Sequence, residues 1–119
     1  NPVVTAVARV ALRLAQSPEL LANVKTQGDR FRAFFASINQ ELEIFSEVRG
    51  RGLMIGAELV EKYAGKAGEL LDRCTEAGVL VLVAGPDVLR LLPPLTITDE
   101  ETDVAIERLS KALRAWIAA

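Results

Sequence analysis

The sequence predicts a small α/β sandwich in which helices pack on a mixed or antiparallel sheet, with the order α-α-β-β-α-β-β-α. Apolar residues recur every three or four positions in residues 1–42 and again in 99–116, which is typical of helices. Short apolar runs bounded by glycine and proline fill the middle, which is typical of strands. Half of the 119 residues are hydrophobic, enough for one core. No linker or repeat divides the chain, so residues 1–119 are predicted to form a single domain, with leading helices at 1–42 and an α/β sheet region at 44–119.

The first segment is predicted to be a helix over Asn1–Gln16. Asn1 suits the N-cap position and Pro2 suits the first helical turn. Valines, leucines and alanines cover most sides of this helix, from Val3 to Leu14. A helix that is apolar on most sides is usually buried, so we expect it to lie between other layers.

A second helix is predicted from Ser17 and Pro18, which form an N-cap followed by a first-turn proline. An apolar stripe then recurs at helical spacing and is expected to face the core: Leu21, Val24, Phe31, Phe35, Ile38 and Leu42. Gly28 occupies one position of this stripe. It indicates either a close neighbouring element or a weak point in the helix.

Two strands are predicted at Ile44–Arg49 and Leu53–Leu59, separated by Gly50-Arg51-Gly52. A turn at residues 63–68 leads into a third helix that ends at Gly78. Its predicted core residues are Ala67, Leu70, Leu71 and Cys74.

The run Val79–Val83 is continuously apolar and predicts a strand buried on both faces or nearly so. A turn at Gly85-Pro86-Asp87 precedes a strand over Val88–Leu92, which Pro93-Pro94 terminates. Thr98 and Glu101 form a capping box that starts the last helix, which is predicted to run to about Trp116. Its predicted core residues are Val104, Ala105, Leu109, Ala112, Leu113 and Trp116.

Composition excludes several classes of function. The chain has 14 basic and 16 acidic residues, a net charge of −2, so it offers no basic field for nucleic acid. No apolar run is long enough to span a membrane. There is no histidine, which removes His-based catalysis and every metal site that needs histidine. The single Cys74 cannot form an intrachain disulfide, and this favours a cytoplasmic setting.

Most residues that could carry chemistry also have an ordinary structural interpretation. Gly50-Arg51-Gly52 could bind phosphate, but it lacks the full glycine-rich spacing and is also typical of a tight turn between paired strands. Asp99–Glu101 with Asp103 could bind a metal, although acidic residues commonly begin helices. Cys74 on an apolar helix face is either a core residue or a nucleophile. None of the four lysines has an evident desolvating context that would suit a Schiff base.

Arg90 is the one residue that stands apart. It is the only charge in the apolar strand Val88–Leu92. An arginine there needs an anionic partner if it is buried, and its planar fork suits bidentate binding of a carboxylate. The alternative is that the strand alternates and Arg90 points to solvent, because it shares a face with Val88 and Leu92. The residues alone leave both possibilities open.

The segment Val48–Leu59 resembles the strand pair that opens the C-terminal small domain of class III, PLP-dependent aminotransferases. Ala77–Val81 and Ala84–Leu95 are similar to the acetylornithine/succinylornithine branch of that family. Asn1–Val3 resembles the segment where these enzymes leave their large domain. The most specific part is Gly-Pro-Asp-Val-x-Arg, which begins at Gly85, together with the two prolines that follow it.

This resemblance implies the small domain of a fold type I enzyme. The full enzyme would transfer the δ-amino group of N-acetylornithine, or a related acylated ornithine such as succinylornithine, to 2-oxoglutarate in arginine metabolism. The family's PLP lysine would lie before Asn1, in the large domain of the same chain, so the present chain is expected to be inactive alone. The resemblance also implies a homodimer and a small domain that shifts on substrate binding to exclude water.

Arg90 matches the arginine that binds a substrate carboxylate in this family, and we expect it to hold the α-carboxylate of glutamate or 2-oxoglutarate. Ornithine or 4-aminobutyrate remain alternative amino donors. A free-standing module that binds an amino acid or another small carboxylate through Arg90, and a purely structural or oligomerisation domain, are the hypotheses of other classes.

Overall fold

The computed structural model describes all of residues 1–119 and confirms the predicted class and order of elements. A short 3₁₀ turn at Glu61–Tyr63 is the one additional element. The helices and strands are α1 (Pro2–Ala15), α2 (Pro18–Leu42), β1 (Phe45–Arg51), β2 (Met54–Leu59), α3 (Ala67–Glu76), β3 (Leu82–Ala84), β4 (Val88–Leu91) and α4 (Asp99–Ala118). No helix is long and apolar enough to cross a membrane.

The four strands form one antiparallel sheet in the order β1-β2-β4-β3. The loop between β1 and β2 begins two residues later than predicted and ends one residue later, because β1 continues to Arg51, which pairs with Met54. Gly52 and Leu53 therefore make the two-residue turn, and the side chain of Leu53 is buried. The turn therefore lies against the helices, with Leu53 in the core.

One face of the sheet packs against α2 and α3, α4 packs against these two helices, and the core lies between them. Ile55, Leu89 and Leu91 are buried on the sheet side, and Phe35 and Leu109 are buried on the helix side. Cys74 also lies in this core, as its position on an apolar helix face predicts. The opposite face of the sheet has no helix over it, so residues of β2 and β4 that alternate with the buried ones remain accessible.

Helix α2 and the turn between β1 and β2 approach each other closely at two glycines. A Cβ atom on Gly28 would lie 2.9 Å from the carbonyl carbon of Gly52 and closer still to its oxygen. Gly52 itself has φ +54°, a conformation that favours glycine. Arg32 donates from Nη1 to the same Gly52 carbonyl at 3.2 Å. The close neighbour predicted from Gly28 is therefore this turn.

The boundaries of α3 and α4 follow their local sequence signals. Gly78 has φ +80°, and the backbone N–H groups of Gly78 and Val79 bond to the carbonyls of Thr75 and Cys74, which closes the C-terminus of α3. At α4, the Thr98 hydroxyl accepts from the Glu101 N–H at 3.2 Å. The Glu101 carboxylate accepts from the Thr98 N–H at 2.9 Å. The predicted capping box is confirmed.

The expectation that α1 is buried between other layers is wrong within this chain. None of its residues is buried, and Val3, Val7 and Leu14 are each at least 63% exposed. The helix extends from the start of α2, and the molecule measures 54 Å in its longest direction but only 28 Å and 24 Å in the others. The periodicity correctly predicts the helix, but it does not say what covers the apolar side chains.

The predicted strand Val79–Val83 is also wrong in extent and burial. The strand starts at Leu82 and lies at the edge of the sheet, beside β4 only. Leu80 is 87% exposed, whereas its neighbour Val81 is buried. Helices cover only one face of this edge, and an apolar run by itself does not distinguish an edge strand from a central one. Leu21 and Val104, predicted to face the core, are likewise exposed at the margins of their helices.

Candidate functional site

Arg90 lies on the open face of the sheet, on a strand in the interior of the sheet order. Leu89 and Leu91 on either side of it point into the core, and they pair with Ala57 and Ile55 of β2. The alternation of the strand therefore places Arg90 on the face that no helix covers. Its partners in the sheet are Gly56 on β2 and Leu82 on β3. Gly56 has no side chain, and a Cβ placed there would lie 3.2 Å from Cγ1 of Val88.

The guanidinium of Arg90 is only partly accessible and lacks a partner. Arg90 has intermediate burial, and its Nε atom is buried without a hydrogen-bond acceptor. None of the ion pairs in the chain involves Arg90. A buried donor without an acceptor costs about 1–3 kcal/mol, and more when the group is charged. This arrangement suits an external anion that supplies the missing acceptor.

Five of the other arginines have carboxylate partners, and one of them lies in the same row of the sheet as Arg90. Arg49 occupies the same row of the open face, on the far side of Gly56, and it pairs with Glu58 and with Glu47. Hydrogen bonding to Glu58 raises the pKa of Arg49 above its usual value. One row of the sheet therefore carries Arg49, whose charge is balanced by carboxylates, and Arg90, which has no carboxylate partner.

The neighbours of Arg90 on the open face are mainly apolar. Met54, Leu82 and Leu92 are 55%, 44% and 54% exposed. A second body placed over this face would bury these side chains and remove water from around the Arg90 guanidinium. An ion pair made there would be stronger than one in bulk water, because the local dielectric constant falls.

The segment that follows Arg90 is held in place by polar residues that the sequence analysis missed. The Asn23 side chain donates to the carbonyls of Leu95 and Ile97, at 2.9 and 3.0 Å. Gln27, which is 2% exposed, donates to the carboxylate of Asp99 at 2.6 Å. One signal was available in the sequence, because Gln27 lies between Val24 and Phe31 on the apolar side of α2.

The acidic residues at the start of α4 have structural roles. Arg30 donates to Asp99 at 3.1 Å and also pairs with Asp103. Glu101 serves the capping box. No cluster of three or more His, Cys, Asp or Glu side chains in residues 1–119 is arranged to hold a metal ion. Of Gly50-Arg51-Gly52, the first two residues belong to β1 and only Gly52 lies in the tight turn of the hairpin, and no helix begins there.

Cys74 is buried, and burial raises the pKa of its thiol from 9.0 to about 11. We expect alkylation of Cys74 by iodoacetamide at mildly alkaline pH to be very slow in the folded protein and rapid in denaturant, because the thiolate is the reactive form. The folded state holds the thiol proton more tightly than the unfolded state. The free energy of unfolding should therefore fall as pH rises between about 9 and 11. Fast alkylation without denaturant would contradict the burial of Cys74.

None of the four lysines lies in a setting typical of a lysine that carries PLP as a Schiff base. Lys25, Lys62, Lys66 and Lys111 are all exposed to solvent. A lysine that carries a Schiff base is normally desolvated or placed beside another cation, and no lysine here has the first of these settings. The chain therefore presents an unpaired arginine on the open face of the sheet and four exposed lysines.

Known proteins resemble this chain over nearly all of it. The family model for aminotransferase class-III matches residues 1–113. An acetylornithine aminotransferase of Xanthomonas campestris pv. campestris is 47% identical over 118 residues, which are 99% of this chain and 29% of that protein. The crystal structure of N-acetylornithine aminotransferase from Stenotrophomonas maltophilia K279a is 54% identical, with a TM-score of 0.92 over 99% of this chain and 32% of that one.

A more distant match is the ornithine aminotransferase from Toxoplasma gondii, described as having partial occupancy of PLP at its active site. It is 29% identical, with a TM-score of 0.81 over 97% of this chain and 27% of that one. The chain thus spans about a third or less of the length of the relatives it matches. The family match and the shared fold lead to one conclusion: the chain belongs to the class-III aminotransferases.

Proposed function

We propose that residues 1–119 form the C-terminal small domain of an aminotransferase that moves the δ-amino group of N-acetylornithine, or of a related acylated ornithine, to 2-oxoglutarate. The names of the relatives support the acyl-ornithine substrate. The single observation that carries a substrate-binding role for this domain is Arg90, a partly buried and unpaired guanidinium on the open face of the sheet.

Arg90 acts in this proposal by binding and orienting the substrate. Its planar fork can donate two parallel hydrogen bonds to a carboxylate, and we assign to it the α-carboxylate of glutamate and 2-oxoglutarate. The pairing of β4 with β2 and β3 fixes the backbone of Arg90 on both sides. A fixed anchor holds the reacting carbon in one place, so its contribution is positioning and not proton transfer.

The apolar neighbours of Arg90 have a second role in the proposal. When Met54 and Leu92 are covered by the large domain, water leaves the region around the substrate carboxylate, and the ion pair with Arg90 strengthens. PLP supplies the electron sink for the transfer and would be held by the large domain, because the lysines of these residues are all exposed. A homodimeric enzyme in the cytoplasm completes the proposal, and the free thiol of Cys74 is compatible with that setting.

The test is the visible absorbance spectrum of the full-length gene product, recorded before and after addition of L-glutamate. We expect the visible band of bound PLP, and we expect glutamate to abolish it. N-acetylornithine, succinylornithine, ornithine and 4-aminobutyrate are then compared as amino donors. No PLP band, or a band that glutamate leaves unchanged, would refute the proposal. An acyl-ornithine slower than ornithine would refute the substrate assignment alone.

The competing function is a free-standing module that binds a small carboxylate, and the same unpaired Arg90 favours it. Isothermal titration of residues 1–119 with L-glutamate distinguishes the two functions. The proposed small domain lacks the large-domain half of the site, so we expect no heat of binding at millimolar glutamate. Binding tighter than millimolar by these residues alone would favour the module.

A further inference from the structure

Glu58 lies on the open face of the sheet, within reach of two arginines. It follows Gly56 by two residues on β2, and Gly56 pairs with Arg49 of β1 on one side and with Arg90 of β4 on the other. Both arginines are therefore diagonal neighbours of Glu58. Diagonal neighbours in a sheet are about 7–8 Å apart, a distance that long side chains can bridge. The register of the sheet thus gives Glu58 a cationic neighbour on each side.

The Glu58 carboxylate binds only one of these two arginines. Nη1 of Arg49 donates to Glu58 and also, at 2.8 Å, to Glu47 on its own strand. Arg90 takes part in none of the ion pairs of the chain, and its buried Nε has no acceptor. The choice that Glu58 makes between its two neighbours therefore decides whether the Arg90 guanidinium is free.

Arg49 also separates two carboxylates that repel each other. Glu47 and Glu58 are directly opposite in the register of β1 and β2. Like charges in opposite positions destabilise a sheet. Without Arg49, repulsion from Glu47 would drive the Glu58 carboxylate toward β4. The residue of β4 directly opposite Glu58 is Val88, whose side chain cannot donate a hydrogen bond, so Arg90 is the cation that remains.

We propose that Arg49 is a positioning residue that holds Glu58 away from Arg90 and so keeps the Arg90 guanidinium free for a substrate carboxylate. This inference rests on the proposed function, in which Arg90 binds the α-carboxylate of glutamate or 2-oxoglutarate. Glu58 carries the same chemical group as that part of the substrate. A Glu58 side chain released by Arg49 therefore competes with substrate, and the apparent affinity falls with the fraction of molecules in which Arg90 is free.

Removal of Arg49 from the full-length protein should weaken substrate binding without slowing the reaction at saturation. We expect Arg49→Ala to raise KM for L-glutamate and for 2-oxoglutarate by roughly threefold to fivefold, the effect of a competing ion pair that is partly exposed. The value of kcat should stay close to that of the parent protein, because saturating substrate displaces Glu58. The loss in kcat/KM should remain below that of Arg90→Ala, since Arg49 does not contact the substrate. Steady-state kinetics provide both constants.

Three further variants separate the release of Glu58 from the loss of a surface charge. Arg49→Lys keeps a cation beside Glu58, so its KM should be close to that of the parent protein. The double variant Arg49→Ala/Glu58→Gln lacks the competing carboxylate and should also recover the parent KM. Arg73→Ala is the control, because the Arg73 side chain is 45% exposed, against 48% for Arg49, and pairs with Glu76 on α3. A KM that stays raised in the double variant, or that rises equally in Arg73→Ala, would overturn the inference.

A crystal structure of full-length Arg49→Ala gives a readout that does not depend on activity. We expect the Glu58 carboxylate to accept hydrogen bonds from the Arg90 guanidinium in this variant. In the parent protein, Glu58 should remain on Arg49, as it is here. A Glu58 side chain that stays on the β1 side of Gly56 in the variant would contradict the role assigned to Arg49.

The activity of the parent protein with N-acetylornithine and 2-oxoglutarate separates the two proposals. A parent protein without activity refutes the proposed function, and the crystal structure of the variant then decides whether Arg49 keeps Glu58 from Arg90. An active parent protein with an unchanged KM in Arg49→Ala refutes the inference and leaves the proposed function standing.

Discussion

Replacing Arg90 with alanine in the full-length protein is expected to lower kcat/KM for L-glutamate by roughly thirtyfold to a few thousandfold. Truncating one member of a desolvated ion pair costs about 2–5 kcal/mol, and each 1.4 kcal/mol is a factor of ten. The use of 2-oxoglutarate should fall in parallel, because the same guanidinium is assigned to both α-carboxylates. Steady-state kinetics of both half-reactions are the measurement.

Stability should respond much less than activity to this change. The Arg90 side chain has no carboxylate partner in the chain, and its buried Nε lacks an acceptor, so alanine removes an unsatisfied donor. We expect the thermal midpoint to stay within about 2 °C of the parent value. A variant that unfolds would show that Arg90 has a structural role.

Two further variants separate charge from geometry at this position. Arg90→Lys keeps the positive charge but loses the bidentate fork, so its activity should lie between those of the parent and of Arg90→Ala. Arg49→Ala is the matched control, because Arg49 occupies the same row of the open face but already pairs with Glu58 and Glu47. Equal losses for Arg49→Ala and Arg90→Ala would contradict the assignment, as would unchanged kinetics for Arg90→Ala.

Replacing Gly28 with alanine is expected to destabilise the full-length protein by about 1–3 kcal/mol. The added Cβ would lie 2.9 Å from the carbonyl carbon of Gly52, and backbone atoms cannot rotate away as a flexible side chain can. The gain in helix propensity, up to about 1 kcal/mol, offsets only part of this cost. Urea denaturation followed by circular dichroism measures the difference.

Gly68→Ala is the matched control for this prediction. Gly68 is also in a helix, but a Cβ there would meet no atom within 4 Å. Its substitution should leave stability unchanged or raise it by up to about 1 kcal/mol. If Gly28→Ala were as stable as Gly68→Ala, that result would contradict the close packing of α2 on the turn between β1 and β2.

Local signals in the sequence accounted for the order of the elements and for the ends of the helices. Asn1, Ser17 and Thr98 cap three helices as predicted, and Gly78 ends α3, because a cap depends on atoms only a few residues apart. The alternation of the strand likewise predicts that Leu89 and Leu91 point to the other face of the sheet from Arg90, because successive side chains of any strand point to opposite faces.

The contacts between distant segments could not be predicted from the sequence. Asn23 and Gln27 meet Leu95, Ile97 and Asp99 across more than seventy residues, and only the packing of α2 beside α4 brings them together. The position of Gln27 on the apolar side of α2 indicates burial, but nothing in the local pattern shows which distant segment Asn23 and Gln27 contact.

The sequence by itself determined the order of elements, their caps and the presence of one arginine in an apolar strand. Only the tertiary structure decided that Arg90 has a buried Nε without an acceptor, that β3 lies at an edge, and that α1 is uncovered. The physical reason is that hydrophobic periodicity records how a segment divides into apolar and polar sides. It carries no information about which other segment, or which other part of the protein, removes the apolar side from water.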